Sequence, residues 1–179
     1  LLLARRSTEG VKPDAEREPG YMERDLARTR EQLERDQRRY VEEVDKALLR
    51  SWVKRALALP PGQRLTAIDR RFAGLDEAGL SRAIDDLYAR SSVLDLAARN
   101  AMFDERPEVL QARQDPLMAL GFELDAERLA LKARRDVAAG ATLRLRPVWR
   151  KAVIGEAGKP VAPDANGTLR VTFGRVQGY

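Results

Sequence analysis

The residues that most often carry enzyme chemistry are missing, since none of the 179 residues is His or Cys. Their absence removes thiol nucleophiles, zinc sites built from Cys and His, and every catalytic triad that uses imidazole as its base. Acid–base chemistry would have to rest on carboxylates, Lys or Tyr. From its residues alone, the chain is predicted to hold no catalytic residue, no metal site and no cofactor site.

Adjacent acidic residues are the first alternative source of acid–base chemistry. They occur as Glu42-Glu43 and as Asp85-Asp86. Neighbouring side chains on a helix point about 100° apart, so neither pair places two carboxyl groups across one substrate. We interpret both pairs as solvated helix faces.

Short basic clusters raise the possibility of phosphate contacts. They comprise Arg35, Arg38 and Arg39, then Arg134 and Arg135, and acidic residues stand within one helical turn of each cluster. The 33 basic and 28 acidic residues are interspersed and leave a net charge of only +5. We therefore predict intrahelical ion pairs and no nucleic-acid partner.

Three further features of the sequence are candidates for ligand binding. Gly155 and Gly158-Lys159 superficially resemble a phosphate loop, but the glycine spacing is too short and a hinge is the better interpretation. Asp164 and Asn166 are suited to ligand binding, but a turn ahead of a strand is favoured. Trp52 and Trp149 are predicted to be core or helix-contact residues, with a substrate-facing aromatic as the alternative.

The elements that would position these residues are mostly helices. No Pro or Gly interrupts residues 21–59, and apolar residues recur there at steps of four and seven: Met22, Leu26, Leu33, Tyr40, Val44, Leu48 and Trp52. This pattern predicts one long helix of about 55–60 Å, paired with an antiparallel neighbour and ended by Pro60-Pro61-Gly62.

Shorter helices are predicted after it, from apolar stripes bounded by Gly, Pro and capping residues. The stripes are Leu65–Ile68–Phe72 before Gly74, Leu80–Ile84–Leu87–Tyr88 before Ser91 or Ser92, and one face of residues 93–103. Pro107 and Pro116 each stand where a first helical turn accepts proline. A helix from Pro116, capped by Asp115, should run to about Ala139 with Gly140 as its C-terminal signal, with Leu117, Leu120, Leu124, Leu129 and Leu131 available for a core. Residues 143–154 are ambiguous, and a last helix from Pro147 suits them better than a strand.

The period of the sequence changes near the C-terminus. Leu169, Val171 and Phe173 alternate with polar residues behind the turn signal of residues 164–167, which predicts a half-buried strand. The predicted fold class is thus mainly α, a multi-helix domain over residues 1–157 followed by a β segment over residues 158–179. No run of eighteen apolar residues exists, so no membrane span is expected. The first residue is not Met, which suggests an excised segment.

Short sequence motifs in the second half resemble the bacterial dipeptidyl-peptidases of serine peptidase family 46, the dipeptidyl-peptidase 7 and 11 type. The motifs run from Asp115 to Tyr179: Asp115-Pro-Leu-Met-Ala-Leu, Glu123-Leu, Lys132-Ala-Arg-Arg, Leu145-Arg-Pro-Val-Trp, Gly158-Lys-Pro, Pro163-Asp-Ala-Asn, Thr168-Leu-Arg and Gly174-x-Val-x-Gly-Tyr.

The resemblance implies a chymotrypsin-like double β-barrel interrupted by a helical cap that restricts activity to the release of N-terminal dipeptides. This chain would be the cap and the entry to the second barrel, without a triad residue and inactive alone, because the His, Asp and Ser of such enzymes lie outside it. It also implies peptide substrates with a free N-terminus, the remaining peptidase chain as a partner, a possible homodimer, and a periplasmic or secreted location. No substrate-binding role carries over to Asn100 or Asn166.

Two other functions remain open at this point. The first is a non-enzymatic helical interaction module that uses the long charged helix as a coiled-coil-like arm. The second, with less support, is an acid-dependent hydrolase.

Overall fold

The computed structural model describes residues 1–158, 174 and 177. This part of the chain is mainly helical, as predicted, and three single 3₁₀ turns (Asp14–Glu16, Pro61–Gln63 and Ser92–Leu94) separate some of its helices. The helices are α1 (Leu2–Gly10), α2 (Glu23–Arg39), α3 (Glu42–Leu57), α4 (Thr66–Phe72), α5 (Glu77–Ala89), α6 (Leu96–Met102), α7 (Pro107–Ala112) and α8 (Pro116–Ala157). The predicted strand at residues 169–173 and its turn lie outside the described residues.

The chain divides into two compact units, Leu1–Lys132 and Ala133–Tyr179. The first unit has two hydrophobic clusters. One gathers Val53 of α3, Phe72 of α4 and Ile84 of α5, and the other gathers Leu3 of α1, Phe103 and Leu110. Phe72, Ile84, Phe103 and Leu110 are at most 1% exposed, so both clusters are closed to water. The predicted boundary between residues 157 and 158 stays a prediction.

The predicted helix over residues 21–59 is wrong, because the chain breaks at Tyr40 and Val41. Both residues have extended backbones, so α2 ends at Arg39 and α3 begins at Glu42. The last turn of α2 is basic and the first turn of α3 is acidic, and each charge stabilises the helix end at which it stands. Tyr40 and Val41, an aromatic and a β-branched residue, are also weak helix formers. The sequence therefore favoured a helix break here, although the apolar stripe continues across it.

The prediction that a helix ends at Gly140 is also wrong. Helix α8 continues through Gly140 and Pro147 to Ala157. Pro147 has no N–H to offer the carbonyl of Leu143, one turn earlier, so the helix lacks one internal hydrogen bond there. Gly158 follows with φ +59°, a left-handed conformation that suits glycine after a helix end.

Two predicted core assignments fail. Trp52 and Trp149 are 64% and 71% exposed, and Leu129 and Leu131 of α8 are also exposed. Helix α3 packs through Leu49, Val53 and Leu57 instead, so its other apolar stripe, Val41, Val44, Leu48 and Trp52, faces away from that cluster.

Most predicted helix boundaries in the first unit are confirmed. Pro107 and Pro116 occupy first helical turns, and the Asp115 carboxylate accepts hydrogen bonds from the backbone N–H groups of Leu117 and Met118, both at 3.0 Å. Gly74 ends the α4 turn with φ +79°. Within the described residues, no helix is both long and apolar enough to cross a bilayer.

Candidate functional site

A cavity of about 380 Å³ in the first unit has both apolar and polar walls. Its polar lining residues are Tyr40, Asp45, Tyr88 and Arg99, and the rest is largely Leu, Val and Met. Arg99 is engaged by backbone carbonyls, since its Nε donates to Val93 at 2.9 Å and its Nη2 to Leu94 at 3.2 Å. The groups left for chemistry are two phenols and a carboxylate.

The phenol of Tyr88 is held in its protonated form. Burial raises the pKa of Tyr88, and its hydroxyl also donates to Asp45 Oδ2 at 2.5 Å, which raises the pKa further. The Lys46 ammonium lies 5.5 Å from the centre of the same ring. Burial likewise raises the pKa of Tyr40, whose hydroxyl has no hydrogen-bond partner among the described residues. Tyr40 can therefore donate a hydrogen bond to a molecule in the cavity, while the Tyr88 hydroxyl is already engaged by the Asp45 carboxylate.

Arg35 forms an intrahelical ion pair, as predicted, and three of the four paired acids, which were predicted to be solvated helix faces, also have basic partners: Glu42, Asp85 and Asp86. Glu42 and Asp85 both bind Lys46 Nζ, at 2.8 and 3.2 Å, and raise its pKa. Arg35 Nη1 lies 3.3 Å from Glu31 Oε2, one turn away on α2. Charges on these faces neutralise one another.

A second polar group joins α1 to the part of α8 that lies in the first unit. Glu18 accepts from Arg5 at 2.7 Å and Arg128 at 3.2 Å, and Arg128 Nε donates to Asp125 at 2.7 Å. Burial would raise the pKa of Glu18, but these hydrogen bonds outweigh it and lower the pKa. Each carboxylate is matched by a guanidinium, which is the pattern of a structural network.

Three arginines of the first unit form a third group. The guanidinium carbons of Arg6 and Arg30 lie 5.3 and 4.4 Å from the centre of the Phe103 ring. Burial lowers the pKa of Arg6, and the charges of Arg17 and Arg30 lower it further, while those of Asp104 and Glu23 raise it. Charges of both signs therefore act on the Arg6 guanidinium.

The remaining candidates are not gathered into a site. Asn100 meets the arginine group only through its backbone carbonyl, among the hydrogen bonds of the described residues, and this carbonyl accepts from Arg30 Nη1 at 3.5 Å. Lys159, Asp164 and Asn166 lie outside the described residues, and Trp52 is on an open helix face. No group of three or more potential metal ligands occurs in the part of the chain that the structure describes.

Comparison with known proteins identifies the family of this chain. The family model described as Peptidase S46 matches residues 2–179. The chain belongs to the Peptidase S46 family. The resemblance inferred from the motifs is thereby confirmed, and it extends over the first half of the chain, where no motif was recognised.

A curated relative of this Peptidase S46 chain is a much longer protein. The Asp/Glu-specific dipeptidyl-peptidase of Shewanella putrefaciens is 35% identical over 181 residues. The alignment covers 99% of this chain but 24% of the relative, so the chain spans about a quarter of the length of that protein.

Sequence reasoning missed the two features with the most unusual surroundings in this S46 chain. Tyr88 was read only as an apolar member of its stripe, and its partner Asp45 lies 43 residues earlier, a separation without any local signal. Arg6 and Gly10 are four residues apart on α1 and so share a helix face, and that spacing was available from the sequence.

Proposed function

We propose that this chain is the helical cap of a serine-type dipeptidyl-peptidase that releases N-terminal dipeptides from oligopeptides. The supporting observation is the family match over residues 2–179. The chain also aligns with about a quarter of a dipeptidyl-peptidase relative, and its described part is mainly helical. Because the chain has no His, the imidazole of a serine triad would come from the rest of the parent protein.

The proposed role of the cap is to limit substrate length. A helical lid closes one end of a cleft, leaves room for two substrate residues, and so sets specificity by exclusion rather than by chemistry. The partners would be peptides with a free N-terminus and the remaining peptidase chain, in a periplasmic or secreted enzyme. The exposed apolar stripe of α3 is the surface through which a homodimer would form.

The first experiment tests the activity of the full-length parent protein. It should release aminocoumarin from dipeptidyl reporters, should not cleave their N-acetylated forms, and should be inactivated by a serine-directed inhibitor. The name of the relative makes an acidic second residue the first reporter to use, with a hydrophobic one beside it. A parent protein that cleaves none of them would rule out the proposed activity.

The second experiment tests the cap. Replacing residues 1–157 by a Gly-Ser linker in the full-length protein should allow products longer than dipeptides, read by mass spectrometry of a decapeptide digest. Labelling with a fluorophosphonate probe reports whether the remaining active site is intact. A labelled variant that still releases only dipeptides would contradict the exclusion role.

A hinge after α8 would accompany such a lid. Gly155 lies inside α8 and Gly158, with its left-handed backbone, lies just beyond the helix, so the hinge hypothesis now rests on Gly158. Gly158→Pro imposes a φ near −65° and should depress dipeptide release in the full-length enzyme, whereas Gly155→Ala should not. Equal kinetics of the two variants would remove the hinge from the proposal.

One observation favours the second candidate function, a non-enzymatic interaction module. The exposed stripe of α3 places Val44, Leu48 and Trp52 at successive helical turns, as a helix-binding surface would. The coiled-coil arm expected over residues 21–59 does not exist, because that segment is two helices. Reporter cleavage by the full-length protein separates this function from the peptidase.

A further inference from the structure

Arg6 differs from its two arginine neighbours in forming no ion pair with a described carboxylate, although Asp104 and Glu23 lie near enough for their charges to act on it. Arg17 binds Asp14 and Glu23, both at 3.3 Å, and Arg30 binds Asp104. Arg6 has no hydrogen bond and no ion pair with any described residue, and its Nε is buried without an acceptor. The terminal nitrogens Nη1 and Nη2 also have no acceptor among the described residues, and unlike Nε they are open to solvent, so they can bind an acceptor from elsewhere.

Gly10 makes room for the Arg6 guanidinium. An ideal Cβ built on Gly10 would lie 2.2 Å from Arg6 Nη1, which means that this nitrogen occupies the space of a missing side chain. Gly10 is the last residue of α1 and needs no left-handed backbone, so its conformation does not require glycine. The Gly10 carbonyl also accepts from Arg17 Nη2 at 3.4 Å, which brings a second guanidinium to the same residue.

The buried Phe103 ring orients two of the three arginines. Its 1% exposure fixes the ring, and the guanidiniums of Arg6 and Arg30 both lie within the range of a cation–π contact. Such a contact positions a guanidinium without occupying its N–H groups. Arg6 therefore presents a pre-oriented set of donors beside two guanidiniums that already have carboxylate partners.

We infer that Arg6, supported by Gly10, Phe103 and the neighbouring Arg17 and Arg30, is a binding site for a carboxylate from outside the described residues. The planar guanidinium accepts a carboxylate through two parallel N–H···O bonds. The carboxylate has two possible sources, a peptide or other small acid that diffuses in, or an Asp or Glu of the remaining parent chain. The inference does not depend on peptidase activity.

The test for a diffusing ligand uses succinate and the full-length parent protein. At constant ionic strength set with NaCl, succinate should raise the Tm of the wild-type protein, since a ligand that binds only the folded state stabilises it. Arg6→Met keeps an apolar stem against Phe103 and should lose this rise. Arg24→Gln removes an exposed positive charge from α2 and should keep it.

Gly10→Ala tests the geometry of the site. The added methyl group must displace the Arg6 guanidinium, while helix α1 tolerates alanine at that position. Its succinate response should weaken toward that of Arg6→Met without a loss of Tm in succinate-free buffer.

The second arm tests a carboxylate supplied by the parent chain. In that case succinate leaves the wild-type Tm unchanged, and Arg6→Met lowers the Tm by several degrees more than Arg24→Gln does. Raising NaCl from about 0.02 to 0.5 M should shrink that loss, because an ion pair is screened and apolar packing is not. A wild-type protein indifferent to succinate, together with an Arg6→Met loss that is absent or independent of salt, would overturn the inference.

Discussion

At the scale of single residues, the chain uses its polar side chains to join helices rather than to react. Asp115 shows this most clearly, since it is 5% exposed and accepts from Ser91 Oγ at 2.8 Å and from Ser92 N at 2.6 Å in addition to capping α8. Burial would raise the pKa of Asp115, but its hydrogen bonds outweigh burial and lower it. The carboxylate stays ionised because each oxygen already has donors.

Removing Asp115 should destabilise the first unit more than removing an ordinary cap does. Asp115→Ala leaves donors of residues 91, 92, 117 and 118, which are buried or part-buried hydrogen-bonding groups, without an acceptor, at an expected cost of about 2–4 kcal/mol. Asp76→Ala removes a cap that accepts only from Gly79 N at 2.7 Å, and should cost about 1 kcal/mol. Urea denaturation of the two variants measures the difference, and equal costs would contradict the joining role.

Acid should destabilise the first unit through several carboxyl groups whose pKa is lowered. The Arg71 hydrogen bonds lower the pKa of Glu123, and the Arg113 hydrogen bonds lower that of Glu105. A lowered pKa means that the folded state binds fewer protons, so this stability is present above the unfolded pKa of about 4 and is lost as the pH falls below it. Glu123→Gln should flatten the dependence of the unfolding free energy on pH between about 5 and 3, and the exposed Glu108→Gln should not. Identical pH profiles would remove Glu123 from the explanation.

At the scale of elements, helix ends set by local sequence signals were predicted correctly, whereas the helix faces that pack against other elements were not. Asp115, Pro107 and Gly74 act within one helical turn, so the sequence alone located those helix ends. Two faces of α3 carry apolar residues, and packing against α4 and α5 decides which of the two is buried. The apolar periodicity therefore indicated the face that the structure leaves exposed. The cavity phenols and the arginine group could not be predicted for the same reason, because their partners come from distant segments.

The break between α2 and α3 can be tested with proline. Glu42 is the first residue of α3, where proline is favoured, and Val41 before it already has the extended backbone that proline requires. Glu42→Pro should therefore change stability by less than about 1 kcal/mol, whereas Ala47→Pro, inside the same helix, should cost about 3 kcal/mol or more. Urea denaturation compares the two variants. If Glu42→Pro is as damaging as Ala47→Pro, the two helices are continuous.

At the scale of the whole molecule, the described surface is mixed in charge, and α3 carries an exposed apolar stripe. Residues Val41, Val44, Leu48 and Trp52 are 47–64% exposed along one side of α3. Contiguous apolar surface of this kind marks an interaction site or a liability for association. This chain aligns with only a quarter of its relative, so a covering surface in the parent protein would agree with the proposed cap.

The isolated chain should therefore self-associate through α3. Leu48→Glu places a charge in the stripe and should weaken self-association by at least about tenfold, measured by sedimentation velocity over a concentration series. Ala27→Glu introduces the same charge at an exposed position of α2 and serves as the control. A wild-type chain that stays monomeric at high concentration would show that the stripe does not drive association.

The contacts of Asp115 also shape how the first unit can open. Its carboxylate reaches back 24 residues to Ser91, so it closes a loop that contains α6 and α7 without any covalent bond. Closing a loop of that length costs about 3 kcal/mol in chain entropy, which the Asp115 contacts offset together with the packing of Met102, Phe103 and Leu110 against α1 and α2. Because the two short helices belong to this one cluster, they should exchange their amide hydrogens together, as one cooperative unit.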